Sequence, residues 1–160
     1  MASSGDERRD CLYRGVGEAL HLAQTLELQV ASLISLVNNE FDLDLDVDAL
    51  VLPDYRQTLG RLLTHLRKVS TVDDNAERIL EDALQARNHI VHHFFNRNAY
   101  AFSVDEVFQA AQAVLKDEAK KIAMAAAVTD GWRQAFCEAR SIDARSIVVK
   151  QDYSGPGASV

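Results

Sequence analysis

Residues 83–104, ALQARNHIVHHFFNRNAYAFSV, contain Arg87, Arg97 and three of the chain's five histidines (His89, His92 and His93), but not one Asp or Glu. A guanidinium is a planar fork for a phosphate, and an imidazole exchanges its proton near neutral pH. Together they suit chemistry that holds an anion and moves a proton beside it. In a chain of formal net charge -7, this acid-free window is where an anion would bind. On a helix, at 100° per residue, Leu80, Ala83, Val91 and Phe94 fall within about 40° of Arg87. Arg87 is therefore expected in the middle of an apolar face, where it needs an anionic partner. That partner is either an internal carboxylate, Glu18 or Glu27 of the first helix, or a ligand phosphate. Asn88 and His92 are four apart and share a face, so the amide can fix the imidazole tautomer. His92 lies about 140° from Arg87 around the axis. The two side chains would meet only on a ligand at the helix end or across a dimer cleft.

Other chemistries fit less well. His89 and His93 have the spacing of paired zinc histidines, but Ile90 stands where the catalytic Glu would be, and no neighbouring carboxylate completes a set. Neither a metal nor another cofactor is expected. No nucleophile-elbow sequence supports a Ser-His-Asp reading. Asp42, Asp44, Asp46 and Asp48 alternate as calcium ligands do, but Val47 occupies the turn glycine position and Pro53 that of the bidentate Glu. A solvated acidic loop, pinned by Leu43, Leu45 and Val47, is expected instead. Cys11 and Cys137 are too far apart in sequence for a CxxC-type site.

The elements that must position the window read as helices. From Leu12 to Phe41 an apolar face recurs at Leu12, Val16, Leu20, Ala23, Leu26, Val30, Leu33, Ile34 and Val37. Leu22, Leu28 and Leu36 widen it, so this helix is central or is covered by a second subunit. A second helix is predicted from about Tyr55 to Val69, with Leu59, Leu62, Leu63 and Leu66 inward. A third, opened by an Asp74–Glu77 capping box, runs to about Asn98. A fourth, opened by Ser103–Glu106, runs to about Ala139 with Val107, Ala111, Val114, Leu115, Ile122, Trp132 and Phe136 inward, and Gly131 is a candidate kink. The fold class is all-α, an up-and-down bundle of four main helices. Residues 1–11 form a flexible N-terminus, 12–140 a single helical domain, and 141–160 a loosely ordered C-terminal tail in which SIVVK could form a short strand.

With 24 acidic against 17 basic residues, the chain does not read as a protein that coats DNA or an anionic membrane. The N-terminus lacks the apolar core of a secretory signal, and no uninterrupted run of 18 apolar residues predicts a membrane span. The expected compartment is the cytoplasm.

Arg87-Asn88-His89-Ile90-Val91-His92, followed by His93-Phe94-Phe95, resembles the R-N-x-x-x-H motif of the HEPN superfamily, small all-helical proteins that include ribonuclease toxins and prokaryotic defence effectors. The motif falls on the third of four helices in a chain of suitable length. The resemblance implies a HEPN-like homodimer acting on RNA as a metal-independent endoribonuclease, with an antitoxin or regulatory protein as a further partner. It implies that Arg87 neutralises charge on the scissile phosphate and that His92 is the general base or acid. Asn88 would orient His92 or touch the phosphate, while His93, His89 and Arg97 contact substrate. His93 also satisfies the looser spacing as an alternative base. Phe94 stands where one branch carries a Tyr adenylylated by its antitoxin, so that mode of silencing is not implied. The alternative is a non-catalytic helical module that binds a nucleotide or a protein. The nuclease reading expects Arg87 and His92 to line one accessible cleft at a two-fold axis; the module reading expects Arg87 buried against Glu18 or Glu27, away from any cleft.

Overall fold

The computed structural model describes residues 5–43, 45 and 58–142. Five α-helices make up nearly all of this: α1 (Gly5–Phe41), α2 (Leu59–Val69), α3 (Asp74–His92), the single turn α4 (Phe94–Arg97) and α5 (Asp105–Ala139), with a 3₁₀ turn at Ala99–Phe102 between α4 and α5. The fold is all-α, a helical bundle whose four main helices are α1, α2, α3 and α5.

α1 and α5 form its spine. At about 1.5 Å per residue each spans at least 50 Å, and they lie side by side along most of that length. Arg8 of α1 meets Asp105 at the start of α5 (3.0 Å), and Glu40 pairs with Arg140 just past the end of α5. The two helices therefore run parallel. Small residues allow a close approach: Ala19, Ala23, Ala111 and Ala125 are buried, and a Cβ on Gly15 would lie 2.6 Å from Leu115 Cδ2.

The direction of the other helices departs from strict up-and-down order. Leu59 at the start of α2 lies beside Glu27 of α1 (3.2 Å), and Leu66 of α2 shares a cleft with Leu33 and Val37. Thus α2 runs parallel to α1, whereas α3 runs antiparallel to α2 and α5. The cause lies in the connection after α1. Asp42 adopts a left-handed conformation (φ 49°), and Asn38 accepts from Leu43 N through its carbonyl and from Leu45 N through Oδ1. Leu59, the first residue of α2, is back at the level of Glu27. Residues 44 and 46–57, which hold most of the acidic loop weighed for calcium, lie outside the described residues, as do 143–160 with SIVVK.

Several helix boundaries differ from expectation. Residues 5–11, expected to be flexible, are the first turns of α1; Arg8 is buried there between Asp105 and the Phe108 ring (5.7 Å). The N-cap of α3 is Asp73, not Asp74, and its carboxylate accepts from Asn75 N and Ala76 N. α5 starts after Val104 with no side-chain cap, so Ser103 does not open a capping box. It continues through Gly131 without a break. Val114 faces outward.

The wide apolar surface of α1 is largely used within the chain, because α2, α3 and α5 all pack on this helix. Leu36 is buried, Leu22 is partly buried, and Leu28 is exposed. By length and composition one stretch of α1 could cross a membrane although it contains no uninterrupted run of 18 apolar residues; 44% of that stretch is buried inside the bundle.

Candidate active site

The window 83–104 is split by the helix on which it lies. The buried stripe of α3 is Ala76, Leu80, Ala83, Ala86 and Ile90, continued by Phe94. Val91, expected inward, is exposed. The stripe is thus centred to one side of Arg87, which sits at its edge with a fifth of its side chain exposed. α3 stops at His92 rather than near Asn98, because His93 leaves helical geometry (φ -128°, ψ -20°). Phe94 is fully buried below this break and anchors it.

On one edge, Arg87 Nε lies 3.6 Å from Glu27 Oε1. Of the two carboxylates considered from sequence, Glu27 is the partner. The same oxygen accepts from Leu59 N at the first turn of α2, so one carboxylate ties α1 to both α2 and α3. Arg87 Nη1 donates to Asn88 Oδ1 (3.2 Å). Asn88 therefore holds the arginine rather than orienting His92. The guanidinium is thus ion-paired at Nε and hydrogen-bonded through Nη1 to the exposed Asn88.

On the other edge, Asn88, His89, His93 and Arg97 line a cleft of ≈ 420 Å³ with Asp82, Gln85, Glu118 and Lys121. Four of the six residues singled out from sequence are thus gathered in one place. Arg87 and His92 are not among the residues lining this cleft, so within one chain the shared cleft expected of the nuclease is not formed, and the pairing of Arg87 with Glu27 is the one expected of the module. His92 is exposed at the rim, its ring edge-on to His93 with centroids 6.2 Å apart. Arg97 is exposed and makes no ion pair among the described residues.

The window is acid-free in sequence but not in space. Glu27 comes to Arg87 from α1, and Glu118 comes to His89 from α5, with Nδ1 and Oε1 3.4 Å apart. That contact lacks hydrogen-bond alignment, and both His89 ring nitrogens are buried without a hydrogen-bond partner. Lys121 Nζ stands 3.8 Å from Glu118 and 2.8 Å from Asp117. The hydrogen bond to Asp117 holds the Lys121 pKa above its ordinary value; burial opposes this, and the field of Glu118 adds to it. Sequence reasoning missed Glu118, although a signal for it existed. Ala111, Leu115, Ile122, Ala125 and Thr129 are buried at alternating spacings of three and four on α5, and Glu118 fills the one gap in that series.

Aromatic side chains flank the end of α3. Tyr13 packs against Phe95 (5.0 Å) and Phe102 (6.2 Å) while remaining half exposed, and Tyr100 is largely exposed. Among the described residues no three of His, Cys, Asp or Glu come together as a metal site. Cys11 and Cys137 are both free.

No family model, no curated protein and no solved structure matches this chain.

Proposed function

We propose that the chain is a metal-independent endoribonuclease of the HEPN type, working as a cytoplasmic homodimer. The carrying observation is how Arg87 is held: Glu27 lies 3.6 Å from Nε and Nη1 donates to exposed Asn88, with a fifth of the side chain still exposed, and Asn88 is one helical turn from exposed His92. A guanidinium anchored in this way meets a phosphate with little further loss of side-chain freedom. Exposed Tyr13 and Tyr100 offer stacking faces to unpaired bases, a sequence-tolerant contact that suits single-stranded RNA.

In the proposed reaction one imidazole, His92 or His93, takes the proton from a ribose 2′-hydroxyl. The freed oxygen attacks the adjacent phosphorus, and the bond from phosphorus to the 5′-oxygen breaks. A protonated imidazole returns a proton to that leaving oxygen. The products are a 2′,3′-cyclic phosphate and a 5′-hydroxyl, and no metal is consumed or required. Arg87 neutralises the charge that builds on the phosphoryl oxygens. An antitoxin or regulatory protein would restrain this activity. Adenylylation two residues after His92 is not the means, since Phe94 has no hydroxyl and is buried.

A second reading is favoured by the same ion pair. If Glu27 neutralises Arg87 for good, the chain is a non-catalytic helical module that binds a nucleotide or protein, and the histidines are a polar edge. Incubation with mixed cellular RNA in EDTA separates the two, using wild type beside Arg87→Ala, His92→Ala and His93→Ala. The nuclease reading expects cleavage by wild type, strong loss in Arg87→Ala, and strong loss in at least one histidine variant. RNA left intact by every protein supports the module, and cleavage that appears only with added divalent metal refutes the mechanism.

A further inference from the structure

The cleft between α3 and α5 has a pattern of charge that the cleavage chemistry does not use. Its lining brings acceptors and donors together: Asp82 and Glu118, the Lys121 ammonium 3.8 Å from Glu118 and hydrogen-bonded to Asp117, and the amides of Gln85 and Asn88 on α3. Glu118 is only 14% exposed, so few of its carboxylate contacts are made by solvent. His89 beside it has two buried ring nitrogens without hydrogen-bond partners. At ≈ 420 Å³ the cleft is within the range of small-molecule pockets.

We infer that this cleft is a guanine-binding subsite that sets which nucleotide the RNA presents to His92 and His93. The inference rests on the ribonuclease reading for its purpose but not for its binding chemistry. Guanine alone among the four RNA bases offers two adjacent N–H donors on its Watson–Crick edge, and a carboxylate accepts two parallel N–H groups. Next to those donors guanine carries the O6 and N7 acceptors, the pair most often met by Lys or Arg. A carboxylate adjacent to an ammonium reproduces that order, with Glu118 for the donors and Lys121 for O6. Adenine and cytosine would turn a ring-nitrogen acceptor toward Glu118, and uracil offers a single donor flanked by two carbonyls. His93 and Arg97 line the same cleft, so a base seated there would have its sugar and phosphate near the catalytic rim.

The test is calorimetric titration of the whole chain with guanosine, adenosine, cytidine and uridine 5′-monophosphates in EDTA. Guanosine monophosphate is expected to bind at least about tenfold more tightly than the other three, the discrimination of one good bidentate contact. Glu118→Gln, which cannot accept both donors, should bring the four affinities to within about twofold of one another. Gln85→Ala, at an exposed position, should weaken guanosine monophosphate severalfold without shifting the thermal midpoint. It carries the test if Glu118→Gln fails to fold. Equal affinities in wild type, no binding, or a guanine preference unchanged in the folded variants would overturn the inference. Mapping the cleavage sites separates this failure from that of the nuclease. Cleavage without base preference, together with no nucleotide binding, removes the subsite alone. Selective guanosine monophosphate binding by a chain that leaves RNA intact removes the nuclease and keeps the subsite.

Discussion

On the flank of α3 that faces α1 and α2, Arg87 meets a carboxylate that is already fixed, because Glu27 also holds the first backbone N–H of α2. On the flank that faces α5, His89 meets Glu118, a carboxylate shared with Lys121 and aligned for a hydrogen bond with neither ring nitrogen. The two basic side chains are only two residues apart, yet one is paired with a carboxylate that also holds α2 and the other lines an open cleft. A helix places neighbours in sequence about 100° apart, so a short motif is shared out among different environments. Which part remains free to act depends on the helices that supply the acids.

The largest test removes what both flanks rest on. Phe94→Ala empties a fully buried aromatic site below the end of α3 and should cost about 3–5 kcal/mol in urea unfolding. A loss below about 1 kcal/mol would mean that the helix end is held by something else. Next is the closed flank by itself. Glu27→Ala strands both Leu59 N–H and the Arg87 guanidinium, for an expected loss of about 2 kcal/mol. A double-mutant cycle with Arg87→Ala should give a coupling of about 1 kcal/mol; simple additivity would show that the pair is not formed in solution. The helix common to both flanks has its own anchor. Asp73→Ala should cost about 1 kcal/mol in the thermal midpoint analysis, whereas Asp74→Ala should change stability by no more than about 0.3 kcal/mol. The smallest effect is expected on the open flank, where Glu118→Gln should cost about 0.5 kcal/mol, since its pairing is weak and Gln keeps the side-chain volume. A loss equal to that of Glu27→Ala would erase the contrast between the flanks.

The helical class and the inward faces of α1 and α2 were legible because apolar spacing is a local property. Leu59, Leu62, Leu63 and Leu66 are buried as their spacing implies. Caps were less legible, since consecutive polar residues such as Asp73 and Asp74 are equivalent until backbone geometry selects one of them. The start of α1 was hidden because GDERRD has no apolar rhythm; a partner about a hundred residues away, Asp105, is what covers Arg8. Helix direction was illegible for a related reason. It depends on a connection whose length permits either sense. Within the site, Glu27 was within reach as one of two nominated acids, but Glu118 was hidden among the apolar positions of another helix.

The parallel pairing of α1 with α5 has a consequence for how the chain reaches this state. Contacts along the spine join residues separated by 100 and 101 positions, as in Glu40 with Arg140 and Cys11 with Gln112. Such distant pairings slow folding relative to a bundle built from successive hairpins. During synthesis, at about 5–20 residues per second, the apolar side of α1 emerges first and its principal partner last. For several seconds that surface has only α2 and α3 to cover it. Nascent chains halted before residue 105 should therefore be the form most prone to aggregate and most dependent on chaperones.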